Sequence, residues 1–196
     1  LDLSRWDFEE HGPVQLVGDW RYWWGELLTP EQVLARENAE TQASYFAVPK
    51  TWKGWQPAPD KEGYKTEGVM TLSVRVVLPE NYGASELGIL LQEQTVAADV
   101  WLIDGESSVF LGESGKVGAD FDSEIPEWRD RLLRFEPNSQ EVTIVWRVSN
   151  FTHARGGPTS SPALGLYRDH DERLLFSSLR SVALFGLFLV MCLYHF

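Results

Sequence analysis

Apolar and polar positions alternate with a period of two along much of this chain. In Val69–Leu78, Met70, Leu72, Val74, Val76 and Leu78 fall on one face, and Thr71, Ser73 and Arg75 fall on the other. Successive side chains of a strand point to opposite faces, so this pattern predicts a half-buried strand. Glu141–Asn150 repeats it, with Val142, Ile144, Trp146 and Val148 set against Thr143, Arg147 and Ser149. Shorter runs at Leu87–Gln92, Ala97–Ile103, Ser108–Gly115, Gly18–Gly25, Ser44–Pro49 and Ala163–Tyr167 predict further strands. Asp104-Gly105 follows the second of these at once and predicts a tight turn, since both residue types tolerate positive φ.

One early segment breaks the alternation. Thr29 precedes Pro30, and Gln32 stands three residues after Thr29. That is a capping box with proline at the first helical position, so a short helix is predicted over Thr29–Asn38. Pro57–Gly68 and Gly118–Asp130 read as loops from their Pro, Gly and charge content, the second with a helical turn at its end. About eight short strands with one helix and no helix between successive strands predict an all-β fold. An antiparallel jelly-roll sandwich is its natural form.

The C-terminal segment follows another rule. Ser181–Phe196 contains no Asp, Glu, Lys or Arg. It is apolar on all sides, as lipid requires and as a helix lying on a sandwich does not. A polar collar at 169–180 precedes it, and Arg180 is placed to snorkel to a headgroup. The expected organisation is a sandwich domain over 1–168, a juxtamembrane collar over 169–180 and the start of a first transmembrane helix over 181–196. The competing reading is a C-terminal helix packed on the sandwich.

Composition narrows the function. A net charge of −12 disfavours nucleic acid and anionic headgroups, both of which need a cationic surface. Nine Trp are more than packing alone usually demands. Most are expected to be buried or half-buried, and a few to meet a ligand. Cys192 is the one cysteine, so no disulfide or Cys-based zinc site is expected. Leu1–Leu16 shows no signal-peptide pattern and no initiator Met, as in a mature or trimmed N-terminus.

The order of motifs resembles a known family. Leu16, Gly18, Trp20, Tyr22, Trp23, Trp24, Leu27, Leu28 and Pro30 match the Leu-x-Gly-x-Trp-x-Phe-Tyr-Trp opening and Leu-Leu-x-Pro step of a group of sensor domains. These are the periplasmic domains of bacterial seven-transmembrane receptors with diverse intracellular signalling modules. Val48, Pro49 and Trp52 resemble the family's Val-Pro-x-x-Trp, and Val148–Gly157 resembles its Ser-Asn-Phe-x-His-x-x-Gly-Gly segment. Two positions depart from the pattern: Asp104 stands where Asn is usual, and Leu72 where an aromatic is usual. Sugar-binding domains of β-galactosidases share the first motif and the Val-Pro-x-x-Trp step. The resemblance implies a galactose-binding-like jelly-roll outside the inner membrane, followed by seven helices and a cytoplasmic cyclase, phosphatase or kinase.

Candidate ligand-binding residues are Trp52, Trp55, Asn150, His153 and Arg155. The last three sit in a loop leaving a strand, where binding groups are commonly placed. Arg155 offers a fork of donors, and His153 both donates and accepts near neutrality. The competing reading is structural: Asn150 and His153 satisfy backbone groups in a loop that needs Gly156 and Gly157 for positive φ. Trp52 is expected to anchor its loop on the core, whereas Trp55 is open to either role. Trp23 and Trp24 are adjacent and must face opposite ways.

Catalysis has little support. No nucleophile elbow, zinc-protease helix or phosphate loop occurs, and His11, His153, His170 and His195 are scattered. Asp120, Asp122 and Glu124 alternate as in a calcium loop but lack its other ligands, so solvated charge is expected there. No catalytic residue, metal or cofactor is expected. The leading expectation is a non-enzymatic sensor domain in the bacterial inner membrane, with residues 1–168 periplasmic or extracellular. Its partners are a small-molecule ligand, with carbohydrate the first candidate, and the membrane; a homodimer is compatible. The alternatives are an accessory sugar-binding domain of a glycoside hydrolase and a ligand-free dimerisation or scaffold module.

Overall fold

A computed structural model describes residues 1–39, 42–57, 62–80 and 86–195. Residues 58–61 of the expected Pro57–Gly68 loop, and Phe196, lie outside these.

The alternating segments form two antiparallel sheets. The larger contains β2 (Gly18–Trp24), β3 (Tyr45–Val48), β4 (Gly68–Val77), β6 (Ala97–Asp104), β7 (Ser107–Ser114) and β9 (Glu141–Asn150), in the order β3-β2-β4-β9-β6-β7. The smaller contains β1 (Val14–Gln15), β5 (Leu87–Leu91), β8 (Arg131–Phe135) and β10 (Ala163–Leu166), in the order β1-β10-β5-β8. At the centre, β4 and β9 pair from Gly68↔Asn150 to Val77↔Glu141. Side chains alternate, so this register sends Met70, Leu72, Val76, Ile144, Trp146 and Val148 inward together. There they meet Leu87, Ile89, Leu91, Leu133, Phe135, Leu164 and Leu166 of the smaller sheet. The expected all-β antiparallel sandwich is the fold observed.

Three helices accompany the sheets. The expected capping box forms at α2 (Pro30–Ala39): Thr29 N–H donates to Gln32 Oε1 at 2.9 Å, and Gln32 N–H donates to Thr29 Oγ1 at 3.3 Å. The helix covers the outer face of the larger sheet. Val33 and Leu28 are buried there with Trp23, Ile103 and Val145. This changes the expectation for β4, whose polar face is dry at Thr71 and Ser73 while Arg75 stays exposed. Thr71 and Ser73 are buried, with Thr71 Oγ1 donating to Glu26 O at 2.7 Å and Ser73 Oγ to Glu37 Oε1 at 2.6 Å. A four-residue helix, α1 (Phe8–His11), was not expected; Asp7 caps it by accepting from the N–H groups of Glu9 and Glu10.

The Asp104-Gly105 turn also forms, displaced by one residue. Asp104 pairs with Ser107, so Gly105 and Glu106 make the two-residue loop, and Gly105 at φ 62° supplies the positive φ that the first loop position needs. In Gly118–Asp130 the turn falls at Asp120–Ser123 rather than at the end, where Ser123 N–H donates to Asp120 Oδ1 at 2.9 Å.

The third helix, α3 (Tyr167–His195), is continuous through the collar and the apolar segment. Its first turn is held by the sandwich. Tyr167 N–H donates to Glu86 O at 2.8 Å, and His170 is buried over Gly88, where a side chain would press on Leu132 and Tyr167. Past Leu174 the helix buries nothing against the sandwich. It is long and apolar enough to cross a membrane, and 0% of its most apolar stretch is buried.

The strands have two ends. The Leu91-to-Ala97 connection joins the sheets at the end carrying Trp24, Gly68 and Asn150. The Phe135-to-Glu141 connection joins them at the other, where Leu166 pairs with Leu87 and α3 departs.

Candidate ligand-binding site

The loops at the Trp24–Asn150 end are tied together by the carbonyl of Thr66. It accepts Trp52 Nε1–H at 2.8 Å and Asn150 Nδ2–H at 2.9 Å. Asn150 Nδ2 also donates to His153 O at 2.8 Å, and Asn150 Oδ1 accepts from His153 N–H at 3.1 Å. The backbones of 49–55 and 156–158 run alongside: Trp52 N–H donates to Gly156 O at 3.1 Å and Lys50 N–H to Pro158 O at 2.8 Å. Gly156 and Gly157 take φ 48° and 99°, as expected of them, and a Cβ at Gly156 would run into the Trp52 indole.

This geometry divides the five candidates. Trp52 and Asn150 are each 0% exposed. Every polar atom of both side chains is satisfied by the protein, so they build the site rather than face a ligand. Trp55 and His153 are half-buried, and Arg155 is exposed, with its backbone N–H donating to His153 Nδ1 at 3.4 Å. The faces open to a ligand are therefore those of Trp55, His153 and Arg155.

Sequence reading missed one residue of this end. Tyr64, in a segment read only as polar loop, stacks on Trp24 with ring centroids 4.0 Å apart and planes 7° apart. Trp55 meets Tyr64, Tyr22 and Phe46 edge-on at 5.4, 5.3 and 4.9 Å. The Tyr64 hydroxyl lies 3.1 Å from that of Tyr22. Burial, followed by that hydrogen bond, raises its pKa well above the ordinary tyrosine value, so it stays protonated. An aromatic between Gly63 and Lys65 in an otherwise polar loop was the available signal.

Two adjoining hollows, of about 470 and 330 Å³, share Tyr64, Lys65 and Glu67. The first adds Lys53, Gly54 and Thr66; the second adds Trp24, Glu62 and three glycines. An aromatic shelf flanked by polar groups is suited to a pyranose ring, whose faces are apolar and whose rim carries hydroxyls.

Glu124 corrects an expectation. It is buried, and it accepts from Ser149 Oγ at 2.8 Å, Phe151 N–H at 2.8 Å and Thr152 Oγ1 at 3.3 Å. It is a clasp between the 118–125 and 150–152 loops rather than solvated charge. Asp120 and Asp122 are exposed, as expected. Among the described residues no group of three or more His, Cys, Asp or Glu could hold a metal ion. Of the nine Trp, Trp128 is exposed and the others are buried or half-buried.

No family model matches the chain, and no curated relative matches it. Solved structures match its fold. A putative β-galactosidase from Bacteroides fragilis matches at TM-score 0.51 and 13% identity, over 78% of this chain and 22% of that one. A Ruminococcus gnavus β-glucuronidase matches at TM-score 0.52 and 13% identity, over 79% and 28%. A Faecalibacterium prausnitzii β-glucuronidase matches at TM-score 0.52 and 11% identity, over 78% and 31%. The chain thus spans under a third of each, and the likeness is one of fold: a β-sandwich domain of the kind carried by glycoside hydrolases.

Proposed function

We propose that this chain is the ligand-sensing extracytoplasmic domain of a bacterial transmembrane signalling receptor. Its sandwich binds a carbohydrate or another small polar ligand at the Trp24–Asn150 end, and α3 holds it to the membrane. The observation that carries this reading is the pairing of unlike parts: a packed sandwich with an aromatic, loop-built end, and at the opposite end a helix whose apolar surface is bare. Water does not tolerate that surface, whereas hydrocarbon does. The resemblance to seven-transmembrane sensor domains supports the same reading and supplies its continuation, a cytoplasmic cyclase, phosphatase or kinase. Ligand signals there by binding one receptor state more tightly than another.

The fold likeness to glycoside hydrolases favours a second reading, an accessory sugar-binding domain; the bare surface of α3 speaks for the first. The test is binding of a neutral and acidic glycan library to the full chain in detergent micelles. Saturable binding that weakens in Trp55→Phe and Arg155→Ala is expected. Absence of binding to every glycan, or binding indifferent to both substitutions, removes the site.

A further inference from the structure

We propose that the hollow beside Tyr64 takes a saccharide carrying carboxylates, a hexuronate, held by Lys53 and Lys65 with Arg155 at the rim. This rests on the ligand-binding reading of the loop end and gives that ligand its chemical class.

Charge placement carries the inference. The chain has net charge −12, yet four of its five lysines, Lys50, Lys53, Lys61 and Lys65, fall within sixteen positions of sequence, where Asp60 and Glu62 are the only carboxylates between them. Lys53 and Lys65 both line the 470 Å³ hollow, and Lys53 Nζ reaches across to Ala154 O at 3.4 Å, next to Arg155. Lys50 Nζ stands 5.7 Å from the Trp55 ring centroid.

Elsewhere arginines are matched to carboxylates: Arg147 with Asp99 at 2.6 Å, Arg131 with Glu127 at 2.6 Å and Arg75 with Glu141 at 3.3 Å. Among the described residues Lys53, Lys65 and Arg155 have no carboxylate within 4.0 Å, although Glu67 lines the same hollow. A cation left unpaired beside an aromatic shelf, in a protein otherwise rich in negative charge, matches a ligand that brings its own anion. The tyrosine–tryptophan stack suits the apolar face of a pyranose. The ammonium groups suit a carboxylate on its edge.

The probes are a galacturonic acid trimer and its methyl ester, which keeps the shape and removes the charge. Binding to the full chain in detergent micelles is followed by calorimetry at low and high salt. The acid is expected to bind more tightly than the ester, and added salt to narrow the difference. Lys53→Gln/Lys65→Gln is expected to weaken the acid about tenfold, the effect of losing two exposed charge contacts. Equal affinity for acid and ester, with Arg155→Ala still weakening both, overturns the charge assignment and leaves the loop site standing. If neither probe binds but neutral glycans from the library do, the hexuronate class falls alone. If no glycan of any kind binds, both readings fall.

Discussion

Asn150 shows how one side chain separates support from recognition. Its amide gives two hydrogen bonds to carbonyls from different loops and accepts a third from the backbone, all out of water. Removing it leaves the His153 carbonyl and N–H without this partner and takes from the Thr66 carbonyl one of its two donors, the other being Trp52 Nε1–H. Unsatisfied buried polar groups cost about 1–3 kcal/mol each, partly relieved by relaxation. Asn150→Ala is therefore expected to lower unfolding free energy by about 2–3 kcal/mol in urea titrations. Arg155→Ala, at an exposed position, is expected to stay within about 0.5 kcal/mol. Equal stabilities for the two variants would contradict this division. The residue types named the loop, because Asn, His and paired glycines just after a strand are unusual together. They did not name which side chains face outward: that depends on Thr66, whose carbonyl lies far away in sequence and gathers Trp52 and Asn150 to one point.

At the scale of elements, period-two alternation placed most strands within a residue or two, because a strand with one face on the core must repeat every second position. The misses have physical causes. Arg131–Phe135 puts Leu132 and Leu133 side by side, since Leu133 faces the core while Leu132 covers Gly88 on the outer face, and the alternation is lost. Phe8–His11 is one turn, too short to show a period. Thr71 and Ser73 read as a wet face because nothing local announces that α2 folds over them. Asp104 offers a test at this scale, since it links the β6–β7 hairpin to the loop before β9. Burial pushes its carboxyl up. Hydrogen bonds from Ser139 and Asn138 outweigh that, and the pKa stands below 3.8. The Asn138 N–H contact is 2.6 Å. A carboxyl whose pKa is depressed on folding stabilises the protein above its unfolded pKa, and the contribution fades as pH falls through the folded value. Asp104→Asn is thus expected to be less stable than wild type at pH 7, with the gap closing below about pH 3.9. A gap independent of pH in matched urea titrations would show that the charge is not what the loop uses.

At the scale of the whole molecule the question is what covers α3. From Leu174 to His195 the helix is roughly 33 Å long at 1.5 Å per residue, against a hydrocarbon core of about 30 Å. Its large side chains are turned outward on every side; Phe185, Phe188 and Leu193 are each more than 65% exposed. The energy at stake is large, since full burial of each such side chain is worth about 1.5–3 kcal/mol. Some apolar phase must therefore surround it, and the sandwich does not supply one. Cys192 reports which phase it is. It is the one cysteine of the chain and lies in the apolar run between Met191 and Leu193, exposed on α3. A membrane-impermeant maleimide reaches a thiol only from water, and hydrocarbon excludes both water and the reagent. In proteoliposomes Cys192 is expected to resist a membrane-impermeant maleimide that rapidly modifies a cysteine placed at the exposed hairpin tip by Glu106→Cys. Dissolving the vesicles in denaturing detergent is expected to make Cys192 reactive. Modification of Cys192 in intact vesicles at the rate of the hairpin cysteine would place α3 in water or on a protein surface. The receptor reading would then lose its anchor, while the loop site at the other end of the sandwich would remain to be judged on its own binding.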